Sequence, residues 1–176
     1  MNLLASVILA ATATASLQKA LDSSAEWTME RRIPGASRVF VSRGTVTARV
    51  GRGVLWEVKE PFPSSVEMTT NSMVFVEDGD RNVKPLEELP YYAEIRQATD
   101  AFTAGDSHAF DGVFKIEESE LPGGGWKLVL TPAVSAMRRL LGRIELTGAA
   151  LPTNAVLEAA DGGTSVIRFR ELPRVR

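Results

Sequence analysis

GRGVLWEVKEPFPSSVEM, residues 51–68, decides the fold class. Val54, Trp56 and Val58 fall on one side of an extended chain, and Glu57 and Lys59 on the other. Pro61 and Pro63 interrupt the run, because proline cannot donate to a sheet ladder. Val66 and Met68 then restart the alternation. A period of two with one apolar side reads as two antiparallel strands, half-buried, joined by a short connection. The stretch therefore poses a choice between a packed core and a surface that takes a guest.

The same period recurs outward from this point. Upstream, SRVFVSRGTVTARV alternates Val46, Ala48 and Val50 against Thr45, Thr47 and Arg49. Downstream, SMVFVEDGDRNVKPL gives a strand, a turn at Asp78-Gly79-Asp80 and a short return strand. AFDGVFKIEESEL sets Phe110, Gly112, Phe114 and Ile116 on one side. GGGWKLVLTP sets Trp126, Leu128 and Leu130 on one side after a glycine turn. Ile144 and Leu146 alternate with Glu145 and Thr147, and the DGG at 161–163 marks a hairpin leading to Ile167 and Phe169.

Three segments carry helical spacing. SLQKALDSSAEWTMERR places Leu17, Leu21, Ala25 and Trp27 near one stripe. ELPYYAEIRQATDAFTAGD has Pro90 in a first turn, Gly105 at a C-terminal cap, and Tyr91, Ile95, Ala98 and Phe102 on one side. AVSAMRRLLGR fits a short helix with Ala133, Met137 and Leu141 inward. The expected fold is mainly β (α+β): a curved, incomplete antiparallel β-barrel of eight to eleven strands with a lid of about three short α-helices. Long twisted sheets curl rather than stay flat.

Composition narrows the functional classes. The chain has 176 residues, 44% apolar and 24% charged, which fits one globular domain with a sizeable core. A net charge of −2 lacks the basic footprint of a nucleic-acid binder. Arg31, Arg32, Arg38 and Arg43 read as a solvated face. With no cysteine, disulfides, thiolate metal sites and cysteine nucleophiles are excluded. MNLLASVILAATATA holds an apolar run from Leu3 to Ala11 followed by Ala13-Thr14-Ala15. It is the pattern of a signal peptide over 1–15, although only the terminal amine precedes the run. A single exported domain over 16–176 in the periplasm is expected.

Catalytic chemistry finds little support. His108 is the one histidine, next to Ser107 in AGDSHAF, and adjacent Ser and His do not readily form an activating relay. Glu117, Glu118 and Glu120 read as a solvated strand end. LPGGGW lacks the lysine and the following helix of a phosphate-binding loop. One histidine without cysteine is a poor metal set. The expectation is a binding protein, with no enzymatic activity, cofactor or metal.

The ordered set of a signal, GRGVLWEVKEP, MVFVEDGD, a mid-chain helix ending in Gly-Asp, WKLVLTP and IELTG…DGGTSVIRF resembles the LolA-like family, as a divergent branch. The resemblance spans nearly all of the mature chain. It implies a carrier of outer-membrane lipoproteins, with an incomplete barrel and a helical lid over a hydrophobic cavity. It also implies an inner-membrane transporter and an outer-membrane receptor as partners; apart from the resemblance, the charge balance argues against nucleic acid, and a monomer is expected. The sequence departs from the family at Glu60, where members carry an Arg before the proline that helps hold the lid closed. Lys59 is adjacent. The cargo is accordingly a lipoprotein or a related lipid.

On that reading the lining comes from Val54, Trp56, Val58, Val66, Met68, Phe75, Phe114, Ile116, Leu128, Leu130 and Leu146 on strands. Tyr91, Ile95, Phe102 and Met137 come from the lid. The alternative is a non-enzymatic assembly protein of the cell envelope that docks a protein partner through a strand edge or the lid.

Overall fold

The computed structural model describes residues 23–49, 53–69, 71–88, 112, 114–149 and 152–171. These form one eleven-stranded sheet in which every pairing is antiparallel. The strands are β1 (Ser23–Arg32), β2 (Phe40–Arg49), β3 (Gly53–Glu60), β4 (Ser64–Met68), β5 (Ser72–Glu77) and β6 (Asp80–Pro85). They continue with β7 (Phe114–Leu121), β8 (Gly125–Pro132), β9 (Leu141–Gly148), β10 (Pro152–Ala159) and β11 (Thr164–Glu171). The order across the sheet is β6-β5-β4-β3-β2-β1-β11-β10-β9-β8-β7. The chain starts at the centre, meanders to one edge at β6, re-enters at the opposite edge at β7, and meanders back to close β11 on β1.

Local chemistry sets the hairpins. Asp78 and Gly79 both have positive φ, 53° and 86°, which suits the right-handed twist of β5 and β6. Asp161 ends β10 by accepting the backbone N–H of Gly163 at 2.9 Å, and Gly162 takes a φ of 85°. The edges are held by polar side chains: Asp80, Arg81 and Lys84 on β6, and Lys115, Glu117, Glu118 and Glu120 on β7. Charged edge strands discourage further pairing. The acidic run at 117–120 is thus a solvated edge, as its sequence suggested.

β1 corrects the sequence reading. SLQKALDSSAEWTMERR was expected to be helical, yet Ser23–Arg32 is a ten-residue strand at the middle of the sheet. Ala25, Trp27 and Met29 alternate with Glu26, Thr28 and Glu30, and pairing on both sides overrides the weak helical spacing. Of the expected lid of about three helices, the described residues hold only a 3-10 turn, Leu86–Glu88, and a four-residue helix, α1 (Ser135–Arg138). Met137 of α1 is buried, Leu141 is buried at the start of β9 rather than on a helix, and Ala133 is exposed. The helix expected over residues 88–106 lies, from residue 89 onward, outside the described residues. So do Ser107, His108 and the leader segment.

Register puts one apolar face across the sheet. One row runs Met29, Ile167, Ala155, Leu146, Leu128 from β1 to β8. Another runs Val46, Trp56, Val66, Phe75 from β2 to β5. The opposite face mixes aliphatic groups, among them Leu55 and the buried Val74, with polar and charged ones. There Thr45 donates to Glu57 at 2.8 Å, Glu145 is shared by Lys127 and Arg143 at 2.8 Å each, and Arg168 donates to Glu30 at 2.7 Å.

The sheet is curved, and Gly44 sits at the bend. The β2–β3 pairing shifts register between Arg43 and Gly44, where Lys59 is the extra, bulged residue on β3. A Cβ on Gly44 would lie 1.8 Å from the Glu57 carbonyl oxygen and 2.7 Å from Cζ2 of Trp27. The missing side chain lets the Trp27 indole lie over β2 and stack on Trp56 of β3, with centroids 4.6 Å apart and planes at 22°. Phe169 of β11 meets Trp56 edge-on at 6.4 Å. β3 and β11 are three steps apart, about 14 Å in a flat sheet. Curl and inward-leaning rings together close that gap.

Gly44→Ala is expected to destabilise the fold by about 2–4 kcal/mol, since backbone must shift. Gly35→Ala, at a positive φ but with open space around it, should cost only about 1 kcal/mol. Urea unfolding of the two variants checks this order.

The outer-face ion pairs generate a pH prediction. Hydrogen bonds from Arg170 and Arg168 hold the Glu26 and Glu30 carboxyls below the usual glutamate range. A depressed folded-state value means the contribution is present above the unfolded value and lost as pH falls through the folded one. All four groups face solvent, so the effect is small and salt-sensitive. Arg168→Gln/Arg170→Gln should show a shallower loss of melting temperature than the parent between about pH 5 and about pH 2 at low salt. Parallel melting curves measure it.

Candidate functional site

Eleven strand residues were expected to line a cavity, and the register places all eleven on the one apolar face. They divide into two groups. Trp56, Phe114, Leu128, Leu130 and Leu146 belong to a packed cluster with Trp27, Met137, Leu141, Ile144, Ala155, Leu157 and Ile167. Val58 and Ile116 pack against that cluster. These side chains fill one another's space in this conformation, as native interiors do. Met137 is the one lid candidate among the described residues, and it is part of the same cluster. Tyr91, Ile95 and Phe102 lie outside the described residues.

Val54, Val66 and Met68 are buried on the same face but lie outside that cluster, as does Met73. Here the face opens. A pocket of about 520 Å³ lies along β4, β5 and β6, with Val66 and Phe75 in its wall. Ser64, Glu77, Asp80, Asn82 and Lys84 share the same face by register and complete the wall with Ser65, Val76 and Asp78. The volume falls in the range of small-molecule sites, about 300–1,000 Å³. An apolar wall with a polar margin suits a guest with a hydrocarbon body and a hydrated end. Phe75 gives broad apolar area, and Met68 and Met73 flank the row as readily repacked side chains.

Sequence reasoning missed two members of the apolar face. Met73 is fully buried opposite Met68, and its place on the face follows from the same alternation as Phe75. Trp27 was placed on a helix. Its indole N–H is buried without an acceptor among the described residues, an arrangement that costs about 1–3 kcal/mol. Trp126, by contrast, donates its N–H to the Ala149 carbonyl at 2.5 Å.

The position that departs from the family pattern also has a local partner. Glu60 sits 3.6 Å from Arg43 on β2, both largely exposed, across the bulge. Among the described residues no cluster of three or more His, Asp or Glu side chains is arranged to hold a metal ion. No helix among them is long and apolar enough to cross a membrane.

No protein-family model matches the sequence, and no curated protein does. Solved structures do show similarity. A LolA superfamily protein from Nitrosomonas europaea shares 13% identity at a TM-score of 0.47, covering 93% of this chain and 94% of that one. A DUF1329 family protein from Desulfovibrio piger shares 12% at 0.45, covering 93% and 91%. LprF from Mycobacterium bovis shares 15% at 0.40, covering 97% and 95%. Among these similar structures is a member of the LolA superfamily, the family that the sequence motifs resemble. At TM-scores below 0.5, the functional argument rests on this chain's own geometry.

Proposed function

We propose that this protein is a non-enzymatic carrier of acyl chains, taking up a lipoprotein or a related lipid on the apolar face of its sheet. The observation that supports this is the row Val46, Trp56, Val66, Phe75, which leads from the packed cluster into the open pocket. An acyl chain laid along β4 and β5 would exchange water for the half-buried Phe75 and pack beside the buried Val66, while its polar end stays at the rim. Each CH₂ removed from water contributes about 0.8 kcal/mol, so a chain of about fourteen carbons gains on the order of 10 kcal/mol when fully covered. Partial cover on an open wall lowers that figure. A carrier benefits, since it must also release. Movement of cargo across the periplasm from inner to outer membrane, between a transporter and a receptor, is the role this binding would serve.

One feature favours docking of a protein instead. Among the described residues β6 is an edge strand whose residues 80–84 are all exposed, so a partner whose charges complement Asp80, Arg81 and Lys84 could add a strand there. The two readings separate in one experiment. The protein is incubated with a myristoylated peptide and with the same peptide lacking the acyl group, and analysed by native mass spectrometry. Carriage predicts uptake of the acylated peptide only, weakened about ten-fold or more in Val66→Glu/Phe75→Glu, where carboxylates occupy the apolar wall. Equal uptake of both peptides supports edge docking. Absence of acyl-dependent uptake, or uptake unchanged by the double substitution, contradicts carriage at this site.

A further inference from the structure

The four arginines near residue 40 were first read as a solvated face, and their placement calls for more. They fall within residues 31–43, RRIPGASRVFVSR, which contain four arginines and no carboxylate in a chain of net charge −2. This segment is the tip of the β1–β2 hairpin. It is also where exposed apolar side chains concentrate: Ile33, Val39, Phe40 and Val41 are each more than a third exposed. The Arg38 guanidinium lies over the Phe40 ring at 4.8 Å. Arg43 pairs with Glu60, whereas Arg31, Arg32 and Arg38 make no ion pair among the described residues.

The strand directions put further apolar groups at this end. The β1–β2, β3–β4 and β10–β11 connections all lie there, as shown by the Arg43–Glu60 and Arg32–Thr164 pairings. Phe62, 78% exposed, is in the β3–β4 connection. Acidic groups share this end, in the turn Asp78-Gly79-Asp80 beyond β4 and at Asp161 in the β10–β11 turn, whose Gly163 borders Pro34, so the positive character is local to the arginines of the β1–β2 hairpin.

We propose that the β1–β2 hairpin docks the protein on an anionic lipid surface. Guanidinium groups would meet lipid phosphates while Ile33, Val39 and Phe40 enter the headgroup boundary. Basic groups interleaved with exposed apolar ones match that environment, wet and negative outside, apolar a few ångströms deeper. An acidic protein would satisfy the arginines but leaves the apolar tip without a reason to be exposed. The inference does not depend on acyl binding, because it concerns the end of the sheet and is read without cargo.

The test is vesicle co-sedimentation of the full chain at low salt. Vesicles of phosphatidylcholine alone are compared with vesicles in which a third of the lipid is phosphatidylglycerol. The apolar run Leu3–Ala11 is common to every sample, so the readout is the ratio of the two affinities. Each basic residue near an anionic surface strengthens binding about five-fold. The parent should therefore prefer anionic vesicles, and Arg32→Gln/Arg38→Gln should lose about 25-fold of that preference. Both side chains are exposed, and an unchanged melting temperature confirms the variant is folded. Salt near 1 M, with a Debye length of about 3 Å, should abolish the difference. Equal affinity for both vesicles, or a preference that the double substitution leaves intact, overturns the proposal. Hairpin-dependent capture by an acidic protein without vesicle preference also overturns it, in favour of protein docking.

Discussion

Contact between Trp27 and Trp56 is possible only because residue 44 has no side chain. The two indoles belong to strands separated by β2, and they stack at 4.6 Å across the gap that Gly44 leaves. The bulge beside it breaks the regular pleat and adds local twist. The sheet bends there, and Phe169 comes within edge-on reach of Trp56. Without that bend, eleven strands would present a broad apolar plane to water. With it, most of the face closes on itself into a packed cluster that takes in Trp56 and the strands from β1 across to β7, while the β4 to β6 wing lies outside that cluster and borders a pocket.

Chain order reinforces this division. β1 and β11 zip the middle of the sheet together, with Glu26–Arg170 and Glu30–Arg168 on the outer face and Trp27, Met29, Ile167 and Phe169 on the inner one. The two meanders then diverge. The β7–β11 wing carries large aliphatic groups that interlock: Leu128, Leu130, Ile144, Leu146 and Leu157. The β4–β6 wing tapers from apolar to polar across its rows, as in Met68, Met73, Lys84 or Val66, Phe75, Asn82. A guest with a hydrocarbon chain and a polar end meets the same gradient.

The side each strand buries was legible in the sequence, because a period of two assigns faces without knowledge of partners. Val54, Trp56 and Val58 share a face with Leu128 and Leu130 although no local signal links them. Turn chemistry at Asp78-Gly79 and Asp161-Gly162-Gly163 marked its hairpins for the same local reason. β1 was not legible. Leu17, Leu21, Ala25 and Trp27 fit a helical stripe as well as Ala25, Trp27 and Met29 fit a strand, and pairing with the distant β11 decided the matter. The split between packed cluster and open wall was equally hidden. It depends on Gly44 and on which wing interlocks, whereas periodicity treats Leu128 and Val66 alike. The arginine hairpin looked like an ordinary solvated face until its exposed apolar neighbours were placed beside it.

The account turns on where hydrocarbon touches the protein. Nuclear Overhauser contacts between a protonated fatty-acid chain and the protein, deuterated except at its methyl and aromatic groups, measure that directly. The account predicts transfer from the chain methylenes to the Val66 methyls and the Phe75 ring. Contacts confined to outer-face groups such as Val83, or none at saturating lipid, would contradict it.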